Sequence, residues 1–202
     1  RFSKSKTNNS HKSMIFLFVG QNDSHTNEME VTMKRLFFIL LFVFVASCSK
    51  GNVTTINIEM INANSESIGQ IKLSEMTDGV ELDIQLEGLP PGGHGIHFHE
   101  KGICEAPDFV TAGSHLNPNG NEHGLMNPEG AHLGDLPNIE ADDQGKVSVQ
   151  LKSNMTLNDE KNTLLPMTGT AIVIHKNPDD GISQPAGGAG ERIACGIVSQ
   201  GE

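Results

Sequence analysis

Six of the nine histidines in this 202-residue chain fall between positions 94 and 132. His97 and His99 alternate with Ile96 and Phe98, so on a strand the two imidazoles leave one face and the apolar pair the other. Two imidazoles on one rigid face form half of a metal site, although polar residues on an exposed strand give the same pattern more often. The segment that follows adds His115, His123, His132 and Asp135, and His175 closes the apolar run Ile172-Val173-Ile174. Three imidazoles and a carboxylate suit tetrahedral zinc, and an all-imidazole set suits copper. His94 is assigned to no metal and is expected to be a buried, hydrogen-bonded packing residue. Met60, Met76, Met126, Met155 and Met167 form no repeat, which favours core and loop filling over a thioether copper site.

These side chains need a frame, and the frame reads as strands. Val80, Leu82, Ile84 and Leu86 alternate with Glu81, Asp83, Gln85 and Glu87, and Val147, Val149 and Leu151 repeat the period of two. Residues 53–60 and 68–76 alternate less strictly, and 170–174 is a more continuous apolar run. No twelve-residue stretch after position 48 has a helical period. Twenty-two glycines, nine Phe and neither Trp nor Tyr also argue against a helical bundle. Short antiparallel strands joined by Gly, Asn and Asp predict an all-β sandwich or barrel. Two long segments break the strand spacing, 102–140 and 177–191, and long loops in a compact domain are usually functional.

The chain divides near residue 48. Met33-Lys34-Arg35, an apolar run over 36–45 and Val45-Ala46-Ser47-Cys48 have the form of a secretory signal. A cysteine directly after the small residues resembles the lipobox of bacterial lipoproteins. A membrane span would need roughly 20 apolar residues, about twice what is present. The expected organisation is an upstream extension over 1–32, with Met33 as the start, a lipoprotein signal over 33–47, a lipidated linker over 48–52 and one domain over 53–202. Residues 1–47 hold six of the 14 Lys and Arg and three of the 25 Asp and Glu, so 48–202 carries 8 and 22, a net of −14. Such a charge excludes a general nucleic-acid binder. With Cys48 assigned to lipid, Cys104 and Cys195 remain as an expected pair in an oxidising compartment, two unrelated buried thiols being the alternative. A bridge over about 90 residues stabilises a fold by roughly 4–5 kcal/mol in the chain-entropy picture.

The ordered pattern is more specific than its parts. It runs His94-Gly95-Ile96-His97-Phe98-His99-Glu100, Gly113-Ser114-His115-Leu116-Asn117-Pro118, His123-Gly124, His132-Leu133-Gly134-Asp135-Leu136, Val173-Ile174-His175 and Gly190-Glu191-Arg192-Ile193-Ala194-Cys195-Gly196. Over about residues 53–200 this resembles the copper/zinc superoxide dismutase family, in particular its exported bacterial branch. The resemblance implies an eight-stranded antiparallel Greek-key β-barrel with two long functional loops. It implies one copper on His97, His99, His115 and His175, and one zinc on His115, His123, His132 and Asp135. His115 would then bridge the two metals and carry a proton to the product. Arg192 would guide the superoxide anion, Cys104 and Cys195 would form a disulfide, and Asp179 would accept hydrogen bonds from His97 and His123. Lys101 and Lys176 stand beside the copper segments and are read as ordinary solvated charges. The expected activity is superoxide dismutation in the periplasm of a Gram-negative bacterium, by a protein lipid-anchored to the envelope, with the outer membrane suggested by Ser49. A copper/zinc buffer or delivery protein of the same fold is the alternative. Monomer and homodimer are both open.

Overall fold

A computed structural model describes residues 52, 54–158 and 162–200, within one compact unit that runs from Gly51 to Glu202. The expected extension over 1–32, the signal over 33–47 and the lipidated Cys48 lie outside the described residues. Nine strand segments are present among those described: β1 (Thr55–Asn62), β2 (Ser67–Met76), β3 (Gly79–Leu86), β4 (Gly92–His94), β5 (Ile96–His99), β6 (Ile139–Ala141), β7 (Val147–Ser153), β8 (Thr170–His175) and β9 (Arg192–Val198). Every pairing between them is antiparallel. One short 3-10 turn, Val110–Ala112, is the only helical element among the described residues.

Seven segments form one sheet in the order β5-β8-β9-β1-β2-β3-β7, and β4 pairs with β6. Only Gly95 separates β4 from β5, so the two are one strand that changes partner at that glycine. Counted so, the nine segments make eight strands. The strand β4–β5 carries the curled sheet across to β6, and the turn after β6, where Asp142 and Lys146 bond through their backbones at 3.0 Å, leads into β7 at the far edge.

The inward positions are those the alternation selects. Val80, Leu82, Ile84 and Leu86 are buried, and they meet Ile58, Ile71, Leu73, Phe98 and Ile172 in the main core. β8 is buried at every position because it serves two cores. Ile172 and Ile174 face the main one, while Ala171 and Val173 face a smaller cluster with Phe109, Ala112 and Cys195. A strand covered on both faces reads as a continuous apolar run rather than as an alternation. The smaller cluster packs the first long loop onto the outside of the sheet, where the Cys104–Cys195 disulfide bridges Cα atoms 5.7 Å apart.

Candidate metal centre

β5 lies at one end of the sheet order, so one row of its backbone groups has no strand partner there. The first long loop takes that row. Phe98 N–H donates to Gly134 O at 2.9 Å, Leu116 N–H to Phe98 O at 2.8 Å, Gly134 N–H to Leu116 O at 2.9 Å and Glu100 N–H to Ser114 O at 3.0 Å. Bridge pairs set His99 opposite His115 and His97 opposite Asp135. A Cβ at Gly134 would collide with Phe98 O and the Leu116 amide nitrogen, so close approach of the three backbones requires glycine there. The outer face of β5 is thereby roofed, and His97 and His99 are fully buried although they point away from the core.

His175 arrives from β8. Its N–H donates to Gly95 O at 2.8 Å, and its carbonyl lies 2.8 Å from Nδ1 of His94. His94 is buried with Nε2 2.7 Å from Pro90 O, and thus holds the His175 backbone without joining the metal-ligating set.

The structure gathers His97, His99, His115 and His175 into one group able to hold an ion, and His115, His123, His132 and Asp135 into a second. His97, His123 and Asp179 form a third such group, linked by hydrogen bonds. His97 Nε2 donates to Asp179 Oδ2 at 2.7 Å, and His123 Nε2 to Oδ1 at 3.1 Å. His99 Nδ1 donates to Gly113 O at 2.9 Å and His175 Nδ1 to Gly190 O at 3.1 Å. Each of these rings has one nitrogen fixed by the protein. The other nitrogens are buried without a hydrogen-bond partner: Nδ1 of His97 and His123, and Nε2 of His99, His115 and His175. Buried polar atoms are normally satisfied, so five unpartnered imidazole nitrogens in one place have the chemistry of metal ligands.

In the second group the donors already stand at metal-site spacing. His115 Nδ1 is 3.0 Å and His132 Nδ1 3.3 Å from Asp135 Oδ1, His123 Nδ1 is 3.1 Å from Oδ2, and His132 and His115 Nδ1 are 3.4 Å apart. Ligands about 2.0–2.1 Å from a tetrahedral zinc are about 3.3 Å from one another. The residues therefore fit zinc, and the four unpartnered imidazole nitrogens of the first group fit copper. His115 alone belongs to both groups, one nitrogen facing each.

Protonation favours metal. Burial holds the His97 imidazole down at about 4 although its hydrogen bond to Asp179 pulls upward. Burial also holds His175 at about 3 and His99 at about 2, against hydrogen bonds to Gly190 and Gly113. For Asp135, burial would raise the carboxyl, but hydrogen bonds from His115 and the Gly124 amide outweigh it and leave it at about 2. Asp179 is held below the usual carboxylate range in the same way, by His97 and the Gly181 amide. The imidazoles of His97, His99 and His175 are thus neutral, and Asp135 and Asp179 ionised, at neutral pH, the forms that metals bind.

Arg192, at the start of β9, donates from Nη1 to Phe109 O at 2.6 Å and from Nη2 to Gly113 O at 2.7 Å. Phe109 has the left-handed conformation, φ 55°, unusual without glycine, and its ring is fully buried. The guanidinium lines an open depression of about 520 Å³ with Asp108, Val110 and Glu191. Lys176 bonds Glu191 at 3.1 Å. Sequence reading did not single out Phe109, Asn138 or Gln184, because loop residues that act through their backbone or amides leave no periodic mark.

Comparison with known proteins adds three likenesses and one family. The family model described as copper/zinc superoxide dismutase (SODC) matches residues 67–198. A protein of Aquifex aeolicus named superoxide dismutase [Cu-Zn] 2 is 46% identical over 170 residues, covering 82% of this chain and 99% of the relative. Among solved structures, a SOD-like protein from Bacillus subtilis is 37% identical with a TM-score of 0.68, covering 70% of this chain and 97% of its own. A Cu/Zn superoxide dismutase from Brucella abortus is 28% identical with a TM-score of 0.60, covering 71% and 99%.

Proposed function

The chain belongs to the copper/zinc superoxide dismutase family, and from that premise we propose that it dismutates superoxide in the cell envelope, two superoxide ions and two protons giving oxygen and hydrogen peroxide. The observation that carries the reading is the convergence of four buried ring nitrogens without a hydrogen-bond partner, Nδ1 of His97 and Nε2 of His99, His115 and His175. Copper is assigned to His97, His99, His115 and His175, and zinc to His115, His123, His132 and Asp135. When bound, copper supplies a one-electron couple able both to oxidise and to reduce superoxide, and zinc supplies fixed positive charge behind His115.

The remaining work belongs to the chain. His115 can hold a proton at Nε2 and release it as the second superoxide becomes peroxide. Arg192 keeps its charge at any working pH and has N–H donors left after its two carbonyl bonds, so it can orient a small anion at the depression. Asp179 fixes the ring orientation of His97 and His123 by taking the nitrogen that faces away from the metals.

The protein is further proposed to be anchored by lipid on Cys48 after removal of 33–47, in the periplasm and on the outer membrane. Support comes from the basic start, the short apolar run and the small residues before the cysteine. The native protein should partition into detergent and the Cys48→Ser variant should not; equal partitioning would refute the anchor.

Activity is tested on the purified protein reconstituted with both metals, with metal content measured on the same sample. Fast copper-dependent turnover that collapses in His175→Ala is expected. Both metals bound with negligible turnover would replace catalysis by metal buffering.

A further inference from the structure

The two long loops meet over the metal centre, where strands are not available to satisfy backbone groups, and each lends the other a carboxamide. Asn138 of the first loop donates from Nδ2 to Asp179 O at 2.9 Å and accepts at Oδ1 from Asp179 N–H at 2.9 Å. In the opposite direction, Gln184 of the second loop accepts at Oε1 from His123 N–H at 2.9 Å and donates from Nε2 to His123 O at 3.0 Å. Gln184 Nε2 also donates to Ile182 O at 3.0 Å, so both hydrogens of its amide are engaged. A primary amide used in this way replaces a neighbouring strand, pairing the N–H and the C=O of one residue together.

His123 is fully buried, so its backbone groups cannot turn to bulk water. Its ring is held at Nε2 by Asp179, which also belongs to the second loop. That loop supplies none of the four donors of the zinc group. It nevertheless grips one of them at both ends, the ring through a carboxylate and the backbone through a carboxamide.

We propose that Gln184 is a positioning residue for zinc, fixing the His123 backbone so that Nδ1 stays aligned with His115, His132 and Asp135. The proposal rests on the zinc assignment above. Without the amide, a water admitted in its place would satisfy the N–H, and no other hydrogen bond among the described residues would hold the His123 backbone across the loops, its carbonyl keeping only the bond from Asn127 Nδ2 of its own loop at 3.1 Å. Partners behind metal ligands commonly govern metal affinity by about 10–100-fold.

The test uses the full protein loaded with both metals, as native, Gln184→Ala and Gln184→Glu. The Glu variant keeps the acceptor and the shape but loses both donors. Three readouts are taken: zinc transfer to a chromophoric chelator, the visible spectrum of cobalt placed in the zinc site, and the melting temperature of the metal-free protein. Both variants should hold zinc about 10-fold or more weakly and shift the cobalt bands, with metal-free melting close to native. Asp142→Ala serves as control, because Asp142 makes comparable bonds to the Gln144 and Lys146 amides in the β6–β7 turn; it should leave zinc retention native. Native zinc retention and cobalt bands in the Gln184 variants would overturn the proposal, as would equal zinc loss in the control. A native protein that takes up no zinc would overturn both the proposal and the assignment on which it rests.

Discussion

The Gly113 carbonyl accepts at once from Arg192 Nη2 and from His99 Nδ1. One peptide oxygen therefore ties the Arg192 guanidinium to an imidazole of the first metal-ligating group. Arg192→Lys keeps the charge but cannot fork between Phe109 and Gly113. Its kcat/KM should fall about 10-fold at low salt, and an unchanged rate would show that charge alone suffices. The same buried rings make the metal-free protein sensitive to acid. In the unfolded chain they protonate near 6.5, whereas burial delays His97 to about 4, His175 to about 3 and His99 to about 2 in the fold. Stability is full above pH 6.5 and is lost as pH falls from there through about 4 for His97, about 3 for His175 and about 2 for His99, since the unfolded chain takes protons that the folded one refuses. The metal-free melting temperature should hold from pH 7.5 to about 6.5 and drop steadily from there to 4.5, and bound metal should blunt the drop. A flat profile would contradict the burial argument. At this scale the sequence was informative about residue type and order, because metal ligands come from a short list. It was silent on Asn138 and Gln184, whose amides matter only through where two loops happen to meet.

At the scale of elements, the edge of β5 decides how the site is roofed. Gly134→Ala would push a methyl group into Phe98 O and the Leu116 amide nitrogen. It should cost about 1–3 kcal/mol and loosen zinc together with copper, as Asp135 and His115 retreat from β5; calorimetry and metal content report the two effects. Removing the disulfide by Cys104→Ser should cost about 2–5 kcal/mol, and a loss below 1 kcal/mol would mean that the smaller core holds the loop unaided. The alternating runs located β3 and β7 to within a residue or two, since one face of each meets the core. β8 was legible only as an apolar run, because two cores cover it. The burial of His97 and His99 was not legible, because the roof consists of backbone from residues far along the chain. Nor was the break at Gly95, where one strand changes partner and reads as two.

At the scale of the whole molecule, a small anion must approach a domain with a net charge of −14 over 48–202. The depression beside Arg192 carries Asp108 and Glu191 as well, and Glu191 takes up the Lys176 ammonium. Glu191→Gln should free that cation and raise kcat/KM at low ionic strength, with the gain vanishing toward about 1 M salt, where the screening length is about 3 Å. No gain at low salt would show that this pair lies outside the field the substrate feels. The order of strands also sets a timetable. β8 and β9 are the last to be synthesised, yet they lie between β5 and β1 in the sheet. A growing chain can expose His97, His99, His115 and a reduced Cys104 long before His175, Arg192 and Cys195 exist. The four zinc-group residues, 115–135, are complete well before the copper group is. Insertion of the final two strands is thus the moment at which scattered imidazoles become one metal-ligating group, and a chain cut short before His175 would carry the four residues of the second group without Asp179 and Gln184, which hold His123, and with no place for the redox metal.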